Sequence, residues 1–185
     1  MTVAQTSAST DEQIRGQARR SRVALVVVFA INGAILATWA SRIPAVRQAA
    51  GLSLGQLGLA LVAPAVGALV AFELSGRAAA RFSSATVTRV CAAGFCLLLP
   101  PIAIADTGLV TLFGALLLFG AGNGALDVSM NTHGVATERA LGRPALSGMH
   151  AAFSAGGLLG AAGGGVAASA GVGIRTNFLA AAGVG

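Results

Sequence analysis

Lysine and tyrosine are absent from this 185-residue sequence, tryptophan occurs once and cysteine twice. Charge is scarce as well. Asp, Glu, Lys and Arg together make up 10 % of the chain, against roughly 25 % in a soluble domain. So few charges cannot cover a soluble surface, which excludes an ordinary soluble enzyme. An apolar fraction of 55 % excludes a disordered chain. The two cysteines, Cys91 and Cys96, fall in one apolar run. Five helical residues turn them about 140° apart, so a single helix cannot pair them. They read as buried, inert thiols. The net charge of +6 rests on arginine alone. Those arginines separate apolar runs and form no single patch, so they do not read as a nucleic-acid surface.

What the chain does have is long apolar runs, 26 glycines and a mean hydropathy of +0.80. A polar stretch over 1–22, carrying Arg15, Arg19, Arg20 and Arg22, is expected to be a disordered cytoplasmic tail. Apolar runs follow from Val23 to Ala40, Gly55 to Leu74, Val87 to Ala105, Gly108 to Leu126 and Met149 to Ala170. A sixth opens at Asn177 and extends to Gly185. At a rise of ~1.5 Å per residue, runs of about 20 residues cross a ~30 Å hydrocarbon core. The expectation is an all-α transmembrane bundle over 23–185, with five complete spans and the start of a sixth. With the N-terminus inside, nine arginines (15, 19, 20, 22, 77, 81, 89, 139 and 143) face the cytoplasm and three (42, 47 and 175) face out. The positive-inside rule therefore predicts a multi-pass membrane protein with a cytoplasmic N-terminus.

Asn32-Gly33-Ala34 in the first run recurs as Asn123-Gly124-Ala125 in the fourth, 91 residues later. The same offset moves the second run onto the fifth. An offset of three spans inverts the topology, as in the 3+3 repeats of secondary transporters. Within the fourth run, Asn123, Asp127 and Asn131 recur every four residues and share one helix face. Ionisable groups in a membrane are costly and usually face the bundle interior. Asp127 reads as a proton-accepting group, as an acceptor for solute hydroxyls, or as polarity at the end of the span. If the helix continues to about Thr137, Asp127 moves inward. His150 opens the fifth run, either as a cavity hydrogen-bonder or as a helix-end residue. Gly156, Gly160 and Gly164 are small residues at four-residue spacing, a close-packing pattern. Trp39 reads as an interfacial anchor or as a border of the solute path, Glu73 as an interfacial carboxylate, and Arg42 and Arg47 as solvated loop residues. No catalytic group, cofactor or metal site is expected.

Several segments resemble the major facilitator superfamily, in its bacterial YbjJ-like branch related to the fucose permeases. They are Phe29-Ala-Ile-Asn-Gly33, Trp39-Ala-Ser-Arg-Ile-Pro44, Leu52-Ser-Leu-Gly-Gln-Leu-Gly58, Gly120-Ala-Gly-Asn-Gly-Ala-Leu-Asp-Val-Ser-Met-Asn131, Glu138-Arg139, Gly142-Arg143-Pro144, and His150 with Ser154-Ala-Gly-Gly157. The resemblance implies a twelve-helix fold of two six-helix halves, of which this chain supplies most of the first and stops in helix six, with a second transmembrane half as its partner. It also implies that helices one and four line the cavity, which puts Asn32, Asn123, Asp127 and Asn131 on or near the path. Asp127 aligns with a carboxylate of the fucose permeases and His150 with a glutamine. The helix-one carboxylate of those permeases has no counterpart around Trp39 and Ala40. In the gating loop between helices two and three, Gly76 and Arg81 match the superfamily pattern, while Ala80, Ser83 and Ser84 depart from it. No proline lies between Met149 and Ala170, so the antiporter motif of helix five is absent. The function implied is secondary transport of a small polar, sugar-like solute by alternating access, with protons as a candidate coupling ion. The alternative is a membrane bundle that assembles with partners and moves nothing.

Overall fold

A computed structural model describes residues 3–104 and 108–185. The expected third run ends at Ala105, outside the described residues. The described residues form, in order, α1 (Val3–Ser41), α2 (Ile43–Ala49), α3 (Leu54–Ala60), α4 (Ala63–Arg81), α5 (Ser84–Leu97), a 3-10 turn (Pro100–Ala103), α6 (Leu109–Leu141), α7 (Leu146–Ser169) and α8 (Ile174–Val184). No strand occurs among the described residues. Among the described residues, five stretches are long and apolar enough to cross a membrane: Glu12–Ser41, Leu54–Ala78, Ser84–Ala103, Leu109–Leu141 and Leu146–Ser169. α8 opens a sixth. The fold is the all-α bundle expected from the hydropathy.

Helix α1 runs back from the first span through the segment expected to be irregular. Residues 12–22 hold Glu, Gln, Ile, Ala and several Arg, all good helix formers, with no proline to stop the spiral. Prolines set the other breaks. Pro64 has no N–H for the carbonyl of Ala60, and its ring crowds that carbonyl. α3 accordingly ends at Ala60, and α4 restarts beyond a turn at Leu61 and Val62. Pro100 and Pro101 likewise end α5 and leave only a 3-10 turn. Ser53 and Gln56 cap α3 reciprocally.

The helices pair through glycine. An added Cβ at Gly156 or Gly160 would run into the backbone carbonyl oxygens of Ala30 and Ala34, and one at Gly33 into that of Phe153. These register pairs rise together, so α1 and α7 lie parallel in close contact. A Cβ at Gly120 would strike the carbonyl of Pro64, one at Gly124 would meet the backbone of Ala68, and one at Gly67 would strike the carbonyl of Leu117. α4 and α6 are therefore a second parallel pair. The 91-residue offset carries α1 onto α6 and α4 onto α7, so it maps one pair onto the other. The spacing repeat thus has a counterpart in packing.

The two pairs meet around aromatic side chains. Trp39 is buried and packs edge-on against Phe119 and Phe178, with centroids 6.2 and 6.5 Å away, and Phe95 lies 4.9 Å from Phe119. Trp39 is thus a core residue and not an interfacial anchor. Its ring fills the junction of α1, α6 and α8.

Candidate functional site

Helix α6 is 33 residues long, about 50 Å, and exceeds the thickness of a bilayer core. Asp127 sits about 27 Å from its start and about 21 Å from its end. The helix continues past Thr137, the condition under which Asp127 was expected to move inward. The apolar run stops at Leu126 but the hydrogen-bonded spiral does not. It continues to Leu141 and closes on Gly142, whose φ of 64° suits glycine.

Asn123, Asp127 and Asn131 are all half-buried on that helix. The Asn131 amide donates to the Asp127 carboxylate at 3.1 Å and to the Asp127 carbonyl at 2.8 Å. This holds the carboxylate against its own helix and leaves its other oxygen without a described partner. Asn32 crosses from α1, 1 % exposed, and its amide N–H group points at the Met130 sulfur, 3.8 Å away. The side-chain oxygens of Asn32 and Asn123 are buried and accept no hydrogen bond. An unsatisfied buried acceptor costs about 1–3 kcal/mol. Asn32 and the Asp127–Asn131 pair thus converge on one stretch of α6, around Met130.

His150 stands apart from that group. It is exposed at the start of α7, and its ring lies 5.1 Å from Phe29, edge to face. Ser154 donates its hydroxyl proton to the His150 carbonyl and not to the imidazole. Gly76 and Arg81 lie exposed on the last turns of α4. Glu73 pairs with Arg77 at 2.9 Å on the same exposed surface.

Two residues carry more structure than their sequence context shows. Arg42, expected to be solvated, is 4 % exposed. Its Nη2 donates to the Val172 carbonyl at 2.6 Å, and its Nε and Nη1 are buried without a partner. A lone Arg beside Pro44 reads as a loop residue; nothing local shows that the α7–α8 turn folds over it. Glu138 accepts from the N–H groups of Ala145 and Leu146 at 2.7 and 2.9 Å. It thereby caps α7 across the intervening loop. Its only sequence signal is a carboxylate eight residues before a helix start.

These features define a multi-pass, all-α membrane bundle with a half-buried polar face on one long helix. The chain is 36 % identical over 154 residues to "Uncharacterized transporter y4wD" of Sinorhizobium fredii, covering 83 % of this chain and 41 % of that protein. It is 37 % identical over 142 residues to an "Uncharacterized MFS-type transporter" of Yersinia pestis, 77 % of this chain and 37 % of that one. "Membrane protein MosC" of Rhizobium meliloti is 36 % identical over 118 residues, 62 % and 28 % of the two chains. The chain spans about two fifths of the length of the first two relatives. No family model matches it, and no solved structure matches it. It is a multi-pass membrane protein similar to MFS-type transporters over most of its length.

Proposed function

We propose that this chain forms the first half-bundle of a secondary transporter of the YbjJ-like, fucose-permease-related branch. The transporter moves a small polar solute, sugar-like in its hydroxyl groups, across the inner membrane. It does no chemistry on that solute. The second transmembrane half closes the other side of the path, and rocking of the halves alternates access. The observation that carries this reading is the Asn123–Asp127–Asn131 face at mid-helix. Polar groups within an apolar helix cost stability and are retained for a pathway. The unpartnered oxygens of Asn32 and Asn123 are acceptors that solute hydroxyls or water would satisfy. Asp127 accepts either a proton or a solute hydroxyl.

The test is uptake by the full-length protein in liposomes, across hexoses, polyols and related neutral solutes. Saturable uptake of one class, above empty liposomes, is expected. If none of them moves, and none exchanges between two filled sides, the reading fails.

A further inference from the structure

A polar cavity opens beside α6 about 9 Å beyond Asp127, on a different face of the helix. It has a volume of about 340 Å³ and sits between α1, α5 and α6. Its polar wall consists of Gln17, Arg20, Ser21, Thr88, Arg89 and His133. Three of these six are basic side chains, and no carboxylate lines the cavity. Among the described residues, neither Arg20 nor Arg89 has an ion-pair partner. The imidazole of His133 is held in place by Ser84, whose Oγ lies 3.0 Å from Nδ1. Ser84 begins α5, and its carbonyl accepts from buried Thr88 at 2.8 Å. The positive end of α5 therefore faces the same space, adding to the field of the two guanidinium groups.

The rest of the wall is apolar. Ala24, Leu25 and Val28 continue along α1 from the polar part toward the middle of the bundle. Arg20 and Arg22 mark the point where α1 becomes continuously apolar, from Val23 onward. The cavity thus straddles the boundary between charged and apolar surface. A bilayer brings a phosphate with two attached acyl chains to that depth.

We propose that this cavity binds one phosphate-bearing anion, supplied by the headgroup of an anionic phospholipid. The phosphate sits between Arg20 and Arg89, and His133 offers it a further hydrogen-bond donor. The first part of an acyl chain follows Leu25 and Val28. Basic recesses between helices at a membrane surface hold lipid headgroups by this combination of charge and depth. The site joins three helices, so its occupant ties α1 to the α5–α6 pair. The inference is independent of any transport reading.

The test uses the purified full-length protein, stripped of lipid and titrated with phosphatidylglycerol, phosphatidylcholine or inorganic phosphate. Bound lipid is counted by native mass spectrometry. One tightly held phosphatidylglycerol is expected, with phosphatidylcholine at least ~10-fold weaker. Arg20→Gln with Arg89→Gln should lower phosphatidylglycerol affinity at least ~10-fold. Arg15→Gln with Arg139→Gln removes the same charge from exposed sites outside the cavity and should change it little. Equal loss in both double variants would reduce the effect to general surface charge and overturn the proposal. Equal retention of the two lipids would overturn it as well. Inorganic phosphate that saturates the wild-type cavity but not the Arg20/Arg89 variant, with no lipid preference, would keep the anion site and overturn the bilayer as its source. Size-exclusion profiles matching wild type are required of each variant. Should the Arg20/Arg89 variant not fold, Arg89→Gln alone is titrated against the same threshold.

Discussion

Asp127 is the ionisable residue whose position most constrains a mechanism, because both ends of its helix are far away. Asp127→Asn keeps the size and one acceptor but removes titration. If Asp127 couples protons, the full-length variant should lose accumulation against a gradient and keep exchange of solute between two filled sides. If it only binds solute, both activities should fall together. Wild-type accumulation would remove it from the mechanism and shift attention to His150. Arg42 poses a different question at the same scale. It sits just past the C-terminal, negative end of α1 and reaches the Val172 carbonyl. Arg42→Ala should leave that carbonyl and the space around it unfilled, a loss of about 1–3 kcal/mol. Thermal unfolding in detergent should show it as a drop of several degrees, while Arg47→Ala, which frees only the nearby Leu52 carbonyl, should cost less. An equal drop in both variants would show that burial of Arg42 does not matter.

The pairing of elements rests on glycines, and they divide into two sets with opposite expectations. Gly156→Ala and Gly160→Ala each place a methyl against the backbone of α1, which cannot yield as a side chain does. Forcing the helices apart should cost about 1–3 kcal/mol per site. Gly163→Ala and Gly165→Ala meet nothing within 4 Å and should be neutral or slightly stabilising, since alanine is the better helix former. Melting temperatures of the four variants decide it, and four equal values would remove the glycine contact as the source of α1–α7 packing. The four-residue spacing of Gly156, Gly160 and Gly164 was readable from sequence as a packing stripe. Its partner was not, because a stripe states that something comes close and not which helix does. The same division holds elsewhere. Apolar runs located the five spans, since hydropathy reports directly on transfer into lipid. They understated α6, because Asp127, Asn131, Thr132 and His133 are polar without being helix breakers. Hydropathy could not see that the backbone continues. Pro64 was visible, but its effect depended on whether neighbouring groups would satisfy the freed carbonyl of Ala60, and the helix divides there. The acceptors of the Asp127 face were legible from spacing, whereas the cavity between α1, α5 and α6 needed three distant segments brought together.

At the scale of the whole molecule, the parallel pairs α1–α7 and α4–α6 fix the sense of each helix relative to the others. α5 runs against α6, since Ser84 at the start of one meets His133 late in the other, and Phe95 meets Phe119. The N-terminal part of α1, the end of α4, the start of α5, the end of α6 and the start of α7 therefore share one end of the bundle. Nine of the twelve arginines belong to that end by sequence, and Arg42, Arg47 and Arg175 to the other. Translocating a loop dense in arginine is disfavoured, so the arginine-rich end should remain in the cytoplasm. Reporter fusions after Ser84 and after Arg143 should both report inside, and a fusion after Ala49 outside. Replacing Arg15, Arg19, Arg20 and Arg22 with glutamine leaves five inside arginines against three outside. The orientation should then become mixed, with a measurable fraction of the Ala49 fusion inside. Arg139 in the last turn of α6 and Arg143 in the α6–α7 loop should still hold most molecules in the original sense, because α6 and α7 insert as neighbours. An inverted pattern in the wild type would overturn the orientation. It would also move the Arg20/Arg89 cavity to the opposite leaflet, so the fusion results decide which leaflet must supply its anionic lipid.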